Sequence, residues 1–140
     1  MKFKYIFTIL LFIIILTGIS GCIDSNSNKT TFGEKKISLE SIYLVYNEST
    51  GEYVESNNGT MYYSIKGKLY NNNPYDALNV KLKTVFYDSK GNKVAETDNA
   101  KISPPSISAH DYSRVYVTIP DQDMKIVRYE INATYAKAQY

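Results

Sequence analysis

Few residues in this chain of 140 carry side chains that catalysis or metal binding needs, and their spacing limits what they could do. The one histidine, His110, is followed by Asp111, a pairing that could serve as an acid–base dyad or as half of a metal site. The polar residues around them read instead as a solvated turn, and neighbours on a strand would point to opposite faces. No Gly-x-Ser-x-Gly elbow and no glycine-rich phosphate loop occurs. Zinc needs several nitrogen or sulfur ligands, whereas the chain has one His and one Cys, Cys22. Oxygen ligands suited to calcium gather at Asp121-Gln122-Asp123 and at Asp88 with Asn92, but without the spacing of a calcium loop. Both sets read as turn residues, so no catalytic residue, metal site or cofactor is expected.

The lone cysteine is explained by its position. Lys2 and Lys4 give a positive tip, Tyr5 to Leu16 is an apolar run broken only by Thr8, and small residues follow. This is the three-part plan of an export signal. Thr17 and Gly18 end the run after roughly a dozen residues, short of the about 20 that span a bilayer. An unpaired thiol behind an ordinary cleavage site is one reading of Cys22. The four residues Ile19-Ser20-Gly21-Cys22, however, resemble the lipobox of bacterial and archaeal lipoproteins, an aliphatic residue and two small ones before a cysteine. The resemblance implies cleavage before Cys22, a lipid on its sulfur and residence on the outer face of the cell membrane. Each buried methylene contributes about 0.8 kcal/mol, so two long chains on one residue hold far more firmly than one.

The expected organisation is a signal peptide over 1–21, the lipidated Cys22 with a flexible linker over 22–36, and one folded domain over 37–140. The linker is rich in Asp, Ser, Asn, Lys and Thr and has almost nothing to pack. Its flexible reach is roughly 20 Å, which keeps the domain close to the membrane. Removing Lys2 and Lys4 cancels the formal net charge of +2, and a balanced surface gives no reason to invoke nucleic acid.

The whole chain has 14 Tyr, five Phe and no Trp, and from Ile37 onward it alternates apolar and polar residues in strand-length stretches. Strands are expected at Ile37–Tyr46, Met61–Tyr70, Leu78–Tyr87, Lys93–Thr97, Ala100–Ser103, Tyr112–Ile119 and Ile126–Tyr135. Asp88-Ser89-Lys90-Gly91-Asn92 reads as a hairpin turn, and Asn71-Asn72-Asn73-Pro74 and Ser103-Pro104-Pro105 as stops. The second strand sets Tyr63, Ile65, Gly67 and Leu69 against Tyr62, Ser64, Lys66, Lys68 and Tyr70. The third sets Leu78, Val80, Leu82, Thr84 and Phe86 against Asn79, Lys81, Lys83, Val85 and Tyr87. The sixth sets Val115, Val117 and Ile119 against Arg114, Tyr116 and Thr118. One-sided strands need a second sheet to cover them, so the fold class is all-β, and about seven strands with regular turns fit an immunoglobulin-like sandwich better than the alternative, a closed barrel.

Gly67-Lys68-Leu69-Tyr70-Asn71, the strand Val80 to Phe86, Tyr87-Asp88-Ser89-Lys90-Gly91 and the Ile102-Ser103-Pro104 region together resemble the FxLYD family. Its name motif is met here by Thr84-Val85-Phe86-Tyr87-Asp88. The resemblance implies an immunoglobulin-like domain of a prokaryotic envelope protein, often a lipoprotein, and brings no catalytic residues with it.

Asn28, Asn47, Asn58 and Asn132 each begin an Asn-x-Ser/Thr sequon and are candidate N-glycosylation sites; of these, Asn132 falls within a strand. Tyr43, Tyr46, Tyr53, Tyr62, Tyr70, Tyr87, Tyr112, Tyr116 and Tyr129 read mainly as cross-strand packing, with the surplus free to contact a glycan or an envelope protein. The expected function is a membrane-anchored, extracytoplasmic lipoprotein with a non-catalytic binding or adaptor domain. The runner-up is a structural cell-envelope protein acting through self-association or contact with envelope polymers. An enzyme or a solute-binding subunit is the third class, and a two-lobed ligand cleft would need a longer chain.

Overall fold

The computed structural model describes residues 36–139. The expected export signal, Cys22, Asn28 and all of the expected linker but Lys36 lie outside the described residues. The strands are β1 (Ile42–Leu44), β2 (Thr50–Glu55), β3 (Met61–Asn71), β4 (Asp76–Tyr87), β5 (Lys93–Thr97), β6 (Lys101–Ser103), β7 (Tyr112–Pro120) and β8 (Arg128–Gln139). Every paired edge is antiparallel. The order is β5-β4-β8-β1-β3-β7-β6, with β2 also against β3. Taken as one interrupted first strand, β1 and β2 complete an immunoglobulin-like arrangement. The β2-β3-β7-β6 layer then has its A-B-E-D order, and β4 with β8 its C-F pair. The two layers are joined into one curled sheet, because β1 pairs with β3 along its length and with β8 at Tyr43↔Asn132.

The alternation read from the sequence supplies the interior. Ile65 and Leu69 of β3 and Val115 and Val117 of β7 meet Leu82 and Phe86 of β4 and Ile131 of β8, with Ile42 and Leu44 of β1 between them. Each is nearly or wholly buried, and such a side chain contributes about 1.5–3 kcal/mol when removed from water. One end of this core is aromatic: Tyr63 meets Phe86 edge to face at 6.1 Å and Tyr53 at 5.0 Å.

Four elements differ from the sequence reading. The expected first strand is cut to three residues between short 3₁₀ turns at Leu39–Ser41 and Tyr46–Glu48. The chain leaves β3 after Leu44 because Ser49 folds back, its Oγ donating to the Val45 carbonyl at 2.8 Å. Ser49 then sits directly on Gly67, where a Cβ would collide with it. The chain returns as β2, an eighth strand that the sequence reading left as loop. In β4 the strict alternation fails below Val80, where Asn79 adopts a left-handed φ of 52° and the register with β8 shifts between Leu78 and Lys81. Upstream of that bulge Ala77, and not Leu78, is the fully buried residue. The last strand starts at Arg128, two residues later than expected, and runs on to Gln139.

The Asn71–Asn73 stop is a buried hydrogen-bond knot. Asn71 Nδ2 lies 2.9, 3.0 and 3.1 Å from the carbonyls of Tyr75, Ile107 and Ser108, while its Oδ1 accepts from the backbone and side-chain N–H of Asn73. Asn73 in turn exchanges two hydrogen bonds with the backbone of Ser38, tying the entering chain to the start of β4.

Candidate functional site

The residues singled out for chemistry are engaged in holding turns. His110 is exposed, takes a left-handed φ of 56° and donates its backbone N–H to the Asn71 carbonyl at 2.9 Å. Asp111 accepts the N–H of Tyr112 at 2.7 Å, so the pair turns the chain into β7. Asp121 Oδ2 accepts the Tyr53 phenol at 2.6 Å and the Ile126 N–H at 2.9 Å. That clamp fastens the segment after β7 to β2. Burial, with the Asp121 carboxylate second, pushes the Tyr53 phenol well above the usual tyrosine range. Asp123 pairs with Lys125 at 2.6 Å. Asp88 accepts from the N–H groups of Lys90 and Asn92 and from the Asn92 side chain, with Gly91 at a φ of 82° closing the expected hairpin. Those bonds hold the Asp88 carboxyl below its ordinary range, Asn92 being the largest cause. Among the described residues no three His, Cys, Asp or Glu side chains come together as metal ligands.

Three sequons fall on the described residues, and all three asparagines are exposed. Asn47 lies in the turn between β1 and β2. Asn58 lies in the β2–β3 connection, where its Oδ1 accepts from the Thr60 N–H at 3.2 Å and from the Ser56 hydroxyl. Asn132 lies in mid-strand, facing outward beside Tyr43.

The tyrosines divide sharply. Tyr63 is buried and Tyr53 and Tyr129 are half-buried inside, whereas Tyr43, Tyr46, Tyr112 and Tyr116 are 44, 56, 49 and 40% exposed. On the outer face of β1, β3 and β7, Tyr43, Tyr70 and Tyr112 are direct register partners and form a row across three strands. Their ring centroids are 5.7 and 4.8 Å apart, and Lys68 Nζ stands 5.8 Å from the Tyr112 ring.

Two further rows follow along the same strands: Lys68, Arg114 and Ser103, then Lys66, Tyr116 and Lys101. Lys68 pairs with Glu48, and Lys66 with Glu52 at 3.0 Å. The buried hydroxyls of Ser64 and Thr118 face the Tyr116 phenol without ordinary hydrogen-bond geometry. They lower its pKa, Ser64 first, with Lys66 and Lys101 adding to the effect. Two shallow hollows, of about 340 and 290 Å³, share Ser103 and Arg114. The sequence reading missed this basic grouping; the outward half of the alternation in β3 and β7 carried it, but the β6 pairing that adds Lys101 and Ser103 is long-range.

No protein-family model, no curated protein and no solved structure matches this chain.

Proposed function

We propose that this chain is an extracytoplasmic lipoprotein, held at the outer face of the cell membrane through lipid on Cys22, whose FxLYD-like sandwich is a non-catalytic binding or adaptor module. The export signal and the four residues ending at Cys22 support the anchor. The observation that carries the binding role is the row Tyr43–Tyr70–Tyr112. Three neighbouring strands place tyrosines on the solvent side, where rings cover contact area at little entropic cost and hydroxyls remain free to pair. A glycan or an envelope protein is the proposed partner.

The test is intact-mass analysis and membrane fractionation of the expressed protein beside Cys22→Ser. The wild type is expected to carry a lipid-sized mass increment and to stay with the membrane, and the variant to lose both. A wild type that is unlipidated and freely released overturns the anchor. The exposed strand β2, paired only along its β3 edge among the described strands, favours a second reading as a self-associating envelope component. Sedimentation that depends on protein concentration would select it.

A further inference from the structure

We infer that the outer face of β3, β7 and β6 binds an acidic polysaccharide; this deepens the reading of the domain as a binding module and rests on it. Over residues 36–139 Lys and Arg match Asp and Glu in number, so a basic face is a matter of position. Lys66, Lys68, Lys101 and Arg114 occupy two adjacent cross-strand rows. The carboxylates that answer them, Glu48 and Glu52, both lie on the β2 side and engage only the two β3 lysines. Toward β6 the positive charge is unanswered: among the described residues neither Arg114 nor Lys101 has an ion-pair partner.

Tyr116 stands in the second of these rows and Tyr112 in the row beside the first, and their exposed rings offer flat apolar surface next to the cations. The two hollows sit side by side on the sheet, one lined by Lys68, Ser103, Tyr112 and Arg114, the other by Lys66, Lys101, Arg114 and Tyr116. Each is at or near the lower end of the about 300–1,000 Å³ that encloses a small ligand, so they cradle consecutive units of a chain and do not engulf one molecule. Charged, planar Arg and ring-bearing Tyr suit carboxylate-bearing sugar rings, the guanidinium pairing with carboxylate and the phenol stacking on the ring.

An anionic bilayer would also meet the charge. A membrane-binding surface, however, buries aliphatic or large apolar side chains into the headgroup boundary. The outward positions of these rows carry only Lys, Arg, Tyr and Ser.

The experiment is electrophoresis of the full chain, in uncharged detergent, through gels containing polygalacturonate or its methyl-esterified, neutral counterpart. The wild type is expected to be retarded by polygalacturonate alone. The double variant Lys101→Gln with Arg114→Gln is expected to bind about tenfold more weakly. A charge-matched control, Lys81→Gln with Lys137→Gln on the other layer, is expected to bind as the wild type does. Circular dichroism of each variant separates a lost site from a lost fold. No retardation of the wild type, or equal weakening in both double variants, overturns the proposal. So does retention on phosphatidylserine vesicles that depends on Lys101 and Arg114 without retention on polygalacturonate. Cys22→Ser is expected to bind the polymer normally, so failure of the anchor and failure of this face read out separately.

Discussion

Tyr53 makes the clearest single-residue prediction. Its phenol accepts the Ile126 N–H at 2.8 Å while donating to Asp121, so Tyr53→Phe removes two contacts and leaves the ring in place against Tyr63. A loss of about 1–2 kcal/mol at neutral pH is expected in urea unfolding. The raised folded-state pKa means that the native protein holds this proton more tightly than the unfolded chain, whose phenol titrates near 10. The contribution is complete below about pH 10 and is lost as pH rises toward the folded value. Tyr53→Phe is therefore expected to decline less steeply above that pH; Tyr63, Tyr87 and Tyr129, also raised, keep part of the slope. A variant with an unchanged alkaline slope would contradict the role of the clamp. Neither this clamp nor the Asn71 knot was legible in the sequence. Asn71, Asn72 and Asn73 share one side chain, yet two are buried and the middle one is exposed, a difference fixed by Ser38 and Ile107, far off along the chain.

Among the elements, β2 is the one on which local and long-range signals diverge. Thr50 to Glu55 contains a glycine and faces water along most of its length, so its weak alternation gave no strand. It forms because β3 offers a free edge from Met61 to Lys66, and because Gly51 lets the Tyr63 and Tyr129 rings close over it. A Cβ at position 51 would overlap the Tyr63 hydroxyl and come within 2.7 Å of Tyr129. Gly51→Ala is expected to destabilise by about 1–3 kcal/mol and to speed amide exchange in β2 selectively. Unchanged β2 protection would show that the rings yield freely. By contrast β3, β5 and β7 were legible to within a residue. Their alternation is clean, and turn chemistry such as Asp88-Gly91-Asn92 acts locally. The β4 bulge was illegible because a strict two-residue period has no place for the left-handed Asn79.

For the molecule as a whole, the all-β layering followed from one-sided strands that need cover, while the order of strands did not, since pairings such as Ile42↔Asn71 and Tyr43↔Asn132 join distant residues. Such non-local closure makes folding slow. Relaxation in stopped-flow mixing is expected on the millisecond-to-second scale, and a microsecond phase carrying the full amplitude would contradict that topology. The short strand β1 has a further, mechanical meaning. It lies nearest the amino-terminal side of the fold and is hydrogen-bonded to both layers. Tension applied between the amino-terminal segment and the β3–β7 face would enter through Ser38, Asn73 and these few pairs before it reached the core. The latch that closes the sandwich is thus also its mechanical fuse, set to yield at the amino-terminal end while β3 and β7 stay zipped together.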